Sequence, residues 1–97
     1  MSGQENQTIV AIFDAPEQTP AQYIELNDAL AATGAGTPKG RLYHMACAKG
    51  TGYLVVDVWE SAERLNQFAQ ILVPTILKLG GIPATPQIYP VIRIAKE

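Results

Sequence analysis

The sequence predicts an α+β domain whose elements run βαββαβ around an antiparallel sheet. Apolar, β-branched runs open the chain, close it and recur in its middle, and each reads as a strand. Two stretches with helical spacing and capping signals separate these runs, and Lys49-Gly50-Thr51-Gly52 supplies a hairpin turn between the two central ones. A chain of 97 residues, 47% hydrophobic and 16% charged, has material for one core, so residues 1–97 are expected to form a single domain.

The first strand is expected over Gln7 to Asp14, where Ile9, Val10, Ile12 and Phe13 precede an Asp-Ala-Pro break. Thr19-Pro20-Ala21-Gln22 then offers an N-cap hydroxyl, a proline at the first helical position and a glutamine placed to close a capping box. Tyr23, Leu26 and Leu30 line one face of the helix that follows, and Gly34 stops it. Gly34 to Gly40 reads GAGTPKG. A phosphate-cradling loop follows a strand and opens a helix, whereas this one leaves a helix and enters a strand, so it is a connection.

Arg41 to Ala48 and Tyr53 to Glu60 are predicted to pair antiparallel across that turn. A turn of two or of four residues gives the same register, with Ala48 opposite Tyr53, Ala46 opposite Val55, His44 opposite Asp57 and Leu42 opposite Trp59. Ser61 caps a second helix carrying Leu65, Phe68, Ala69, Leu72 and Ile76 on one face. Pro74 predicts a kink or a break within it, and Gly80-Gly81 end it. Gln87 to Ala95 is the expected last strand. This order is the split βαβ pattern of a ferredoxin-like fold, with both helices on one face of the sheet.

The other face also needs cover. The third strand is apolar on both sides, with Leu54, Val56 and Val58 on one and Tyr53, Val55 and Trp59 on the other, and two helices cover only one of them. The expectation is a homodimer packed through the open sheet face. A net charge of -2 with scattered basic residues predicts no nucleic-acid partner, and no apolar run reaches the roughly 20 residues of a membrane span. Met1 to Thr8 lacks the regions of a signal peptide and Cys47 has no partner for a disulfide, so a cytoplasmic location is expected.

The single histidine, His44, falls beside Asp57 in the argued register, with Trp59 two residues along the same face. A carboxylate accepting from one imidazole nitrogen fixes the tautomer and leaves the other nitrogen to move a proton, while an indole offers a flat wall to an aromatic ligand. The same residues also suit an ordinary cross-strand pair and a core tryptophan. Ser2 and Ser61 are poor nucleophiles, one terminal and one a helix cap, and Cys47 points away from His44. One histidine and one cysteine do not make a zinc or iron site, so no metal is expected.

Gly40-Arg41-Leu42-Tyr43-His44, Val56-Asp57-Val58-Trp59-Glu60-Ser61 with Phe68, and Tyr89-Pro90-Val91 resemble the dimeric α/β-barrel superfamily, most closely small uncharacterised proteins of the antibiotic biosynthesis monooxygenase (ABM) type. The resemblance covers nearly the whole chain. It implies a ferredoxin-like protomer, two sheets facing each other in a dimer, and a ligand cavity between each sheet and its helices. It puts Trp59 where monooxygenases and haem oxygenases of the superfamily carry a functional tryptophan. The asparagine of those active sites is missing from Gln7 to Asp14, and Ser61 to Gly80 holds no histidine for haem iron.

The resulting expectation is a cofactor-free, monooxygenase-like enzyme acting on an aromatic or polyketide-like molecule. His44 is its base, Asp57 orients His44, Trp59 faces the substrate, and Phe13, Tyr23, Phe68 and Leu72 line the pocket. The alternative reading is a non-enzymatic binding protein for an apolar small molecule in the same pocket.

Overall fold

The computed structural model describes residues 7–96. Of the opening residues read above for a leader, Met1 to Asn6, Ser2 among them, lie outside that range. Six elements follow in the predicted order: β1 (Ile9–Ala15), α1 (Pro20–Ala32), β2 (Arg41–Lys49), β3 (Gly52–Trp59), α2 (Ala62–Lys78) and β4 (Gln87–Pro90). The four strands form one antiparallel sheet in the order β2-β3-β1-β4, the ferredoxin-like arrangement.

Local chemistry sets the helix starts. Gln22 N donates to Thr19 Oγ1 at 3.2 Å and Thr19 N donates to Gln22 Oε1 at 2.7 Å, closing the capping box. Arg64 N donates to Ser61 Oγ at 3.2 Å, a simple hydroxyl N-cap that starts α2. Both helices pack on one face of the sheet. Ile9, Ala11, Leu30, Ala35, Trp59, Leu65 and Phe68 form the main core there, and Phe13 joins them to a second cluster of Ala15, Tyr53 and Val55.

Three expectations are corrected. The predicted break at Pro74 is absent, because α2 runs through it as one helix. The residue that loses its partner, Gln70, is exposed, so water can take the place of the missing N–H. The last strand stops at Pro90 and does not reach Ala95. In the antiparallel register Pro90 already faces Ile9, the first residue of β1, so the neighbouring strand ends there; one further bond joins Val91 N to Thr8 O at 2.9 Å.

The third correction concerns the hairpin. Ala48 faces Tyr53, Ala46 faces Val55 and His44 faces Asp57 as expected, but Arg41 and not Leu42 is opposite Trp59. A β-bulge between Arg41 and Tyr43 inserts one extra residue and reverses the alternation of faces beyond it. Leu42 turns out to solvent at 55% exposure, and Arg41 turns to the helix side.

Gly52 holds the hairpin against β1. A Cβ there would lie 2.2 Å from the carbonyl oxygen of Ala15 and 2.7 Å from Pro16 Cα, both backbone atoms that cannot swing aside. Gly52→Ala is therefore expected to destabilise the fold by about 1–3 kcal/mol, the usual range for overpacking. Thermal denaturation checks this, each kcal/mol lowering Tm by roughly 4–8 °C in a domain of this size.

Candidate functional site

A cavity of about 310 Å³ lies between the helices and the sheet. Most of its wall is apolar, with Phe13 from β1, Leu26 and Leu30 from α1, and Phe68 and Leu72 from α2. Its titratable groups are Tyr23, Arg41, His44, Tyr53 and Asp57, and Gln18, Asn27, Asn66 and Thr85 add uncharged polar groups.

Asp57 is buried at 2% exposure, and the strand pairing sets it directly across from His44. His44 Nδ1 and Asp57 Oδ1 are 2.5 Å apart, and His44 Nε2 is 2.6 Å from the Tyr23 hydroxyl. With an ionised carboxylate, which only accepts, and a neutral imidazole, Nδ1 carries the proton and Nε2 presents its lone pair to the Tyr23 O–H. The three side chains thus form one hydrogen-bonded chain from β3 through β2 to α1, with every donor facing an acceptor. The Tyr23 ring lies nearly parallel to the imidazole, joined to it end-on through the hydroxyl with 6.1 Å between centroids, and tilts against Tyr53 at 5.3 Å.

Burial pushes the Tyr23 phenol above the ordinary tyrosine value of 10.0; the Arg41 guanidinium pulls it back and the Asp57 carboxylate adds to the rise. Tyr53 is also raised, first by burial and then by Tyr23. Arg41 Nη2 donates to Gly36 O at 3.1 Å, and the guanidinium carbon lies 5.9 Å from the centre of the Phe68 ring.

The helix side of the sheet carries His44, and Phe13, Tyr23, Phe68 and Leu72 line the cavity with His44 and Asp57. Trp59 does not face it. The indole is 0% exposed in the core and packs behind Phe68 at 5.4 Å between centroids, so Phe68 and not Trp59 presents an aromatic surface to the cavity. Trp59 Nε1 is the one fully buried side-chain polar atom without a partner among the described residues. Sequence reasoning missed the bond from Tyr23 to His44, since Tyr23 read as one of several aromatic lining residues. It also missed Arg41, which strict alternation along β2 assigns to the opposite face. Among the described residues no three His, Cys, Asp or Glu side chains converge as metal ligands would.

No family model and no curated protein matches the chain. Solved structures do. SnoaB, a cofactor-independent oxygenase from Streptomyces nogalater, superposes with a TM-score of 0.60 at 18% identity over 93% of this chain and 96% of that one. NE2512 from Nitrosomonas europaea, a protein of unknown function, gives 0.60 at 14% identity over 98% of each chain. A Chloroflexus aurantiacus protein provisionally named an antibiotic biosynthesis monooxygenase gives 0.57 at 18% identity over 92% of this chain and 95% of that one. Likeness at these identities carries the fold and leaves the chemistry to the residues. The chain has the ferredoxin-like α+β fold of ABM-type structures.

Proposed function

We propose that the protein is a cofactor-free, monooxygenase-like enzyme acting on an aromatic or polyketide-like molecule in the cavity. The observation that carries this reading is the Asp57–His44–Tyr23 chain opening on an apolar pocket. His44 is the base and Asp57 its orienter, and the proton travels through Tyr23, whose hydroxyl covers Nε2. As the substrate gives a proton to Tyr23 Oη, the phenolic proton passes to His44 Nε2, and Asp57 stabilises the imidazolium formed. The substrate carbanion then reacts with dioxygen. Overall, a substrate CH₂ and O₂ yield a carbonyl and one water, the carbon being oxidised and the oxygen reduced. The apolar wall keeps bulk water from quenching the carbanion. SnoaB, of the same fold, is a cofactor-independent oxygenase, which supports this reaction class.

The working unit is a homodimer built through the open sheet face. Val10, Ile12, Leu54, Val56 and Val58 are only partly covered there, and Tyr43, Met45 and Tyr89 are 54%, 40% and 51% exposed. Ile92, beyond β4, is fully exposed. A second copy of the same face supplies the missing cover. Among the described residues no helix is long and apolar enough to cross a membrane.

Oxygen uptake with a panel of anthrones and quinols tests the reaction. His44→Ala is expected to lower the rate about a hundred- to ten-thousandfold, the range for a positioned acid-base group, with Asp57→Asn and Tyr23→Phe also impaired. Uptake indifferent to His44→Ala removes the reading, and tight binding of these molecules without uptake identifies a binding protein. Light scattering is expected to give twice the 10.5 kDa chain mass, and Val56→Lys to halve it. The raised phenols set an alkaline limit. The folded state favours neutral Tyr23 and Tyr53, so the stability they contribute is complete below 10.0 and is lost as pH climbs through their higher folded values. Melting temperature followed against pH is expected to fall above 10.0, less steeply in Tyr23→Phe and in Tyr53→Phe.

A further inference from the structure

The bulge at Leu42 gives the cavity a cation. Without it, Arg41 would share the open face with Tyr43; with it, Arg41 stands opposite Trp59 on the helix side and lines the cavity. Bulges beside binding sites commonly re-aim one side chain in this way. The guanidinium is held but not neutralised. One N–H donates to Gly36 O and one face lies toward the Phe68 ring, and no carboxylate among the described residues comes within ion-pair distance of it. Asp57, the acidic group of the same cavity, is bonded to His44. A guanidinium has five N–H donors, so several remain for a ligand. Its charge reaches into the cavity, where it counteracts the rise at the Tyr23 phenol.

We infer that the cavity is selective for amphipathic anions: compact ring systems whose apolar body lies along Phe13, Leu26, Phe68 and Leu72 while a carboxylate, phenolate or enolate oxygen meets Arg41. A volume of about 310 Å³ admits a small molecule of this kind. The inference names the ligand class of the site proposed above and rests on that cavity, but not on turnover. A ligand that enters neutral and loses a proton there gains the same interaction afterwards.

Two fluorescent probes of nearly equal apolar body test this without chemistry: anilinonaphthalene sulfonate, an anion, and N-phenylnaphthylamine, which is neutral. The sulfonate is expected to bind at least about tenfold more tightly, the effect of one charge-assisted contact, and to weaken as salt rises. Arg41→Met is expected to abolish the difference and leave the neutral probe within about twofold of its original affinity, because the methionine keeps the apolar stem. Leu72→Trp, which fills the cavity, is expected to remove both. Equal affinity in the unaltered protein, no binding of either probe, or sulfonate binding that survives Leu72→Trp each overturns the inference. The first two need no variant, so a folding defect in Arg41→Met does not shield it. Neither probe is turned over, so an absence of oxygenase activity leaves this result as it stands.

Discussion

Asp57 is a carboxylate at 2% exposure on the central strand β3, and a charge in that position is tolerated only with a close, well-aligned partner. His44 is that partner, and the hairpin register delivers it. A slip of one residue would send His44 to the open face and leave the carboxylate unpaired under the helices, at a cost of about 3–5 kcal/mol for a broken buried pair. The hydrogen-bonded pair and the register therefore support each other. Gly52, which admits the hairpin against the backbone of Ala15 and Pro16, belongs to the same constraint.

The bond from His44 Nε2 to Tyr23 extends this constraint to α1. The start of that helix is fixed by the Thr19 and Gln22 capping box, one turn from Tyr23. The phenol is thus positioned by local backbone chemistry at one end and by the imidazole at the other. Little freedom is left to the chain of groups, as proton transfer over hydrogen-bond distance requires.

Much of this was legible in the sequence. Strand, helix and turn signals agree with one another along the chain, so the order of elements follows, and the Lys49–Gly52 turn places His44 opposite Asp57 by counting alone. Counting fails where the backbone departs from a period of two. The bulge at Leu42 leaves no sign in a run of otherwise ordinary strand residues, and it decides that Arg41 and not Leu42 enters the site. Tyr23 was legible as a lining residue and not as a partner of His44, because the approach of α1 to the edge strand β2 depends on packing between distant segments. Trp59 shows the reverse error. Its parity is right and its depth is not, since nothing in the alternation of a strand says which of two aromatics stands in front of the other.

The arrangement also bears on how changes at Tyr23 act. Its hydroxyl is the outer end of the polar chain, while its ring leans on Tyr53. Removing the ring would loosen α1 from the sheet as well as remove the proton carrier, so a large truncation mixes packing with chemistry. Phenylalanine keeps the ring contacts and deletes only the hydroxyl, leaving His44 Nε2 uncovered toward the cavity. If the hydroxyl carries the proton, that change slows transfer although the imidazole is better exposed; if it merely covers the imidazole, the same change frees the base and speeds it. The sign of the effect thus separates a relay from a cap, a distinction that loss of the whole side chain would erase.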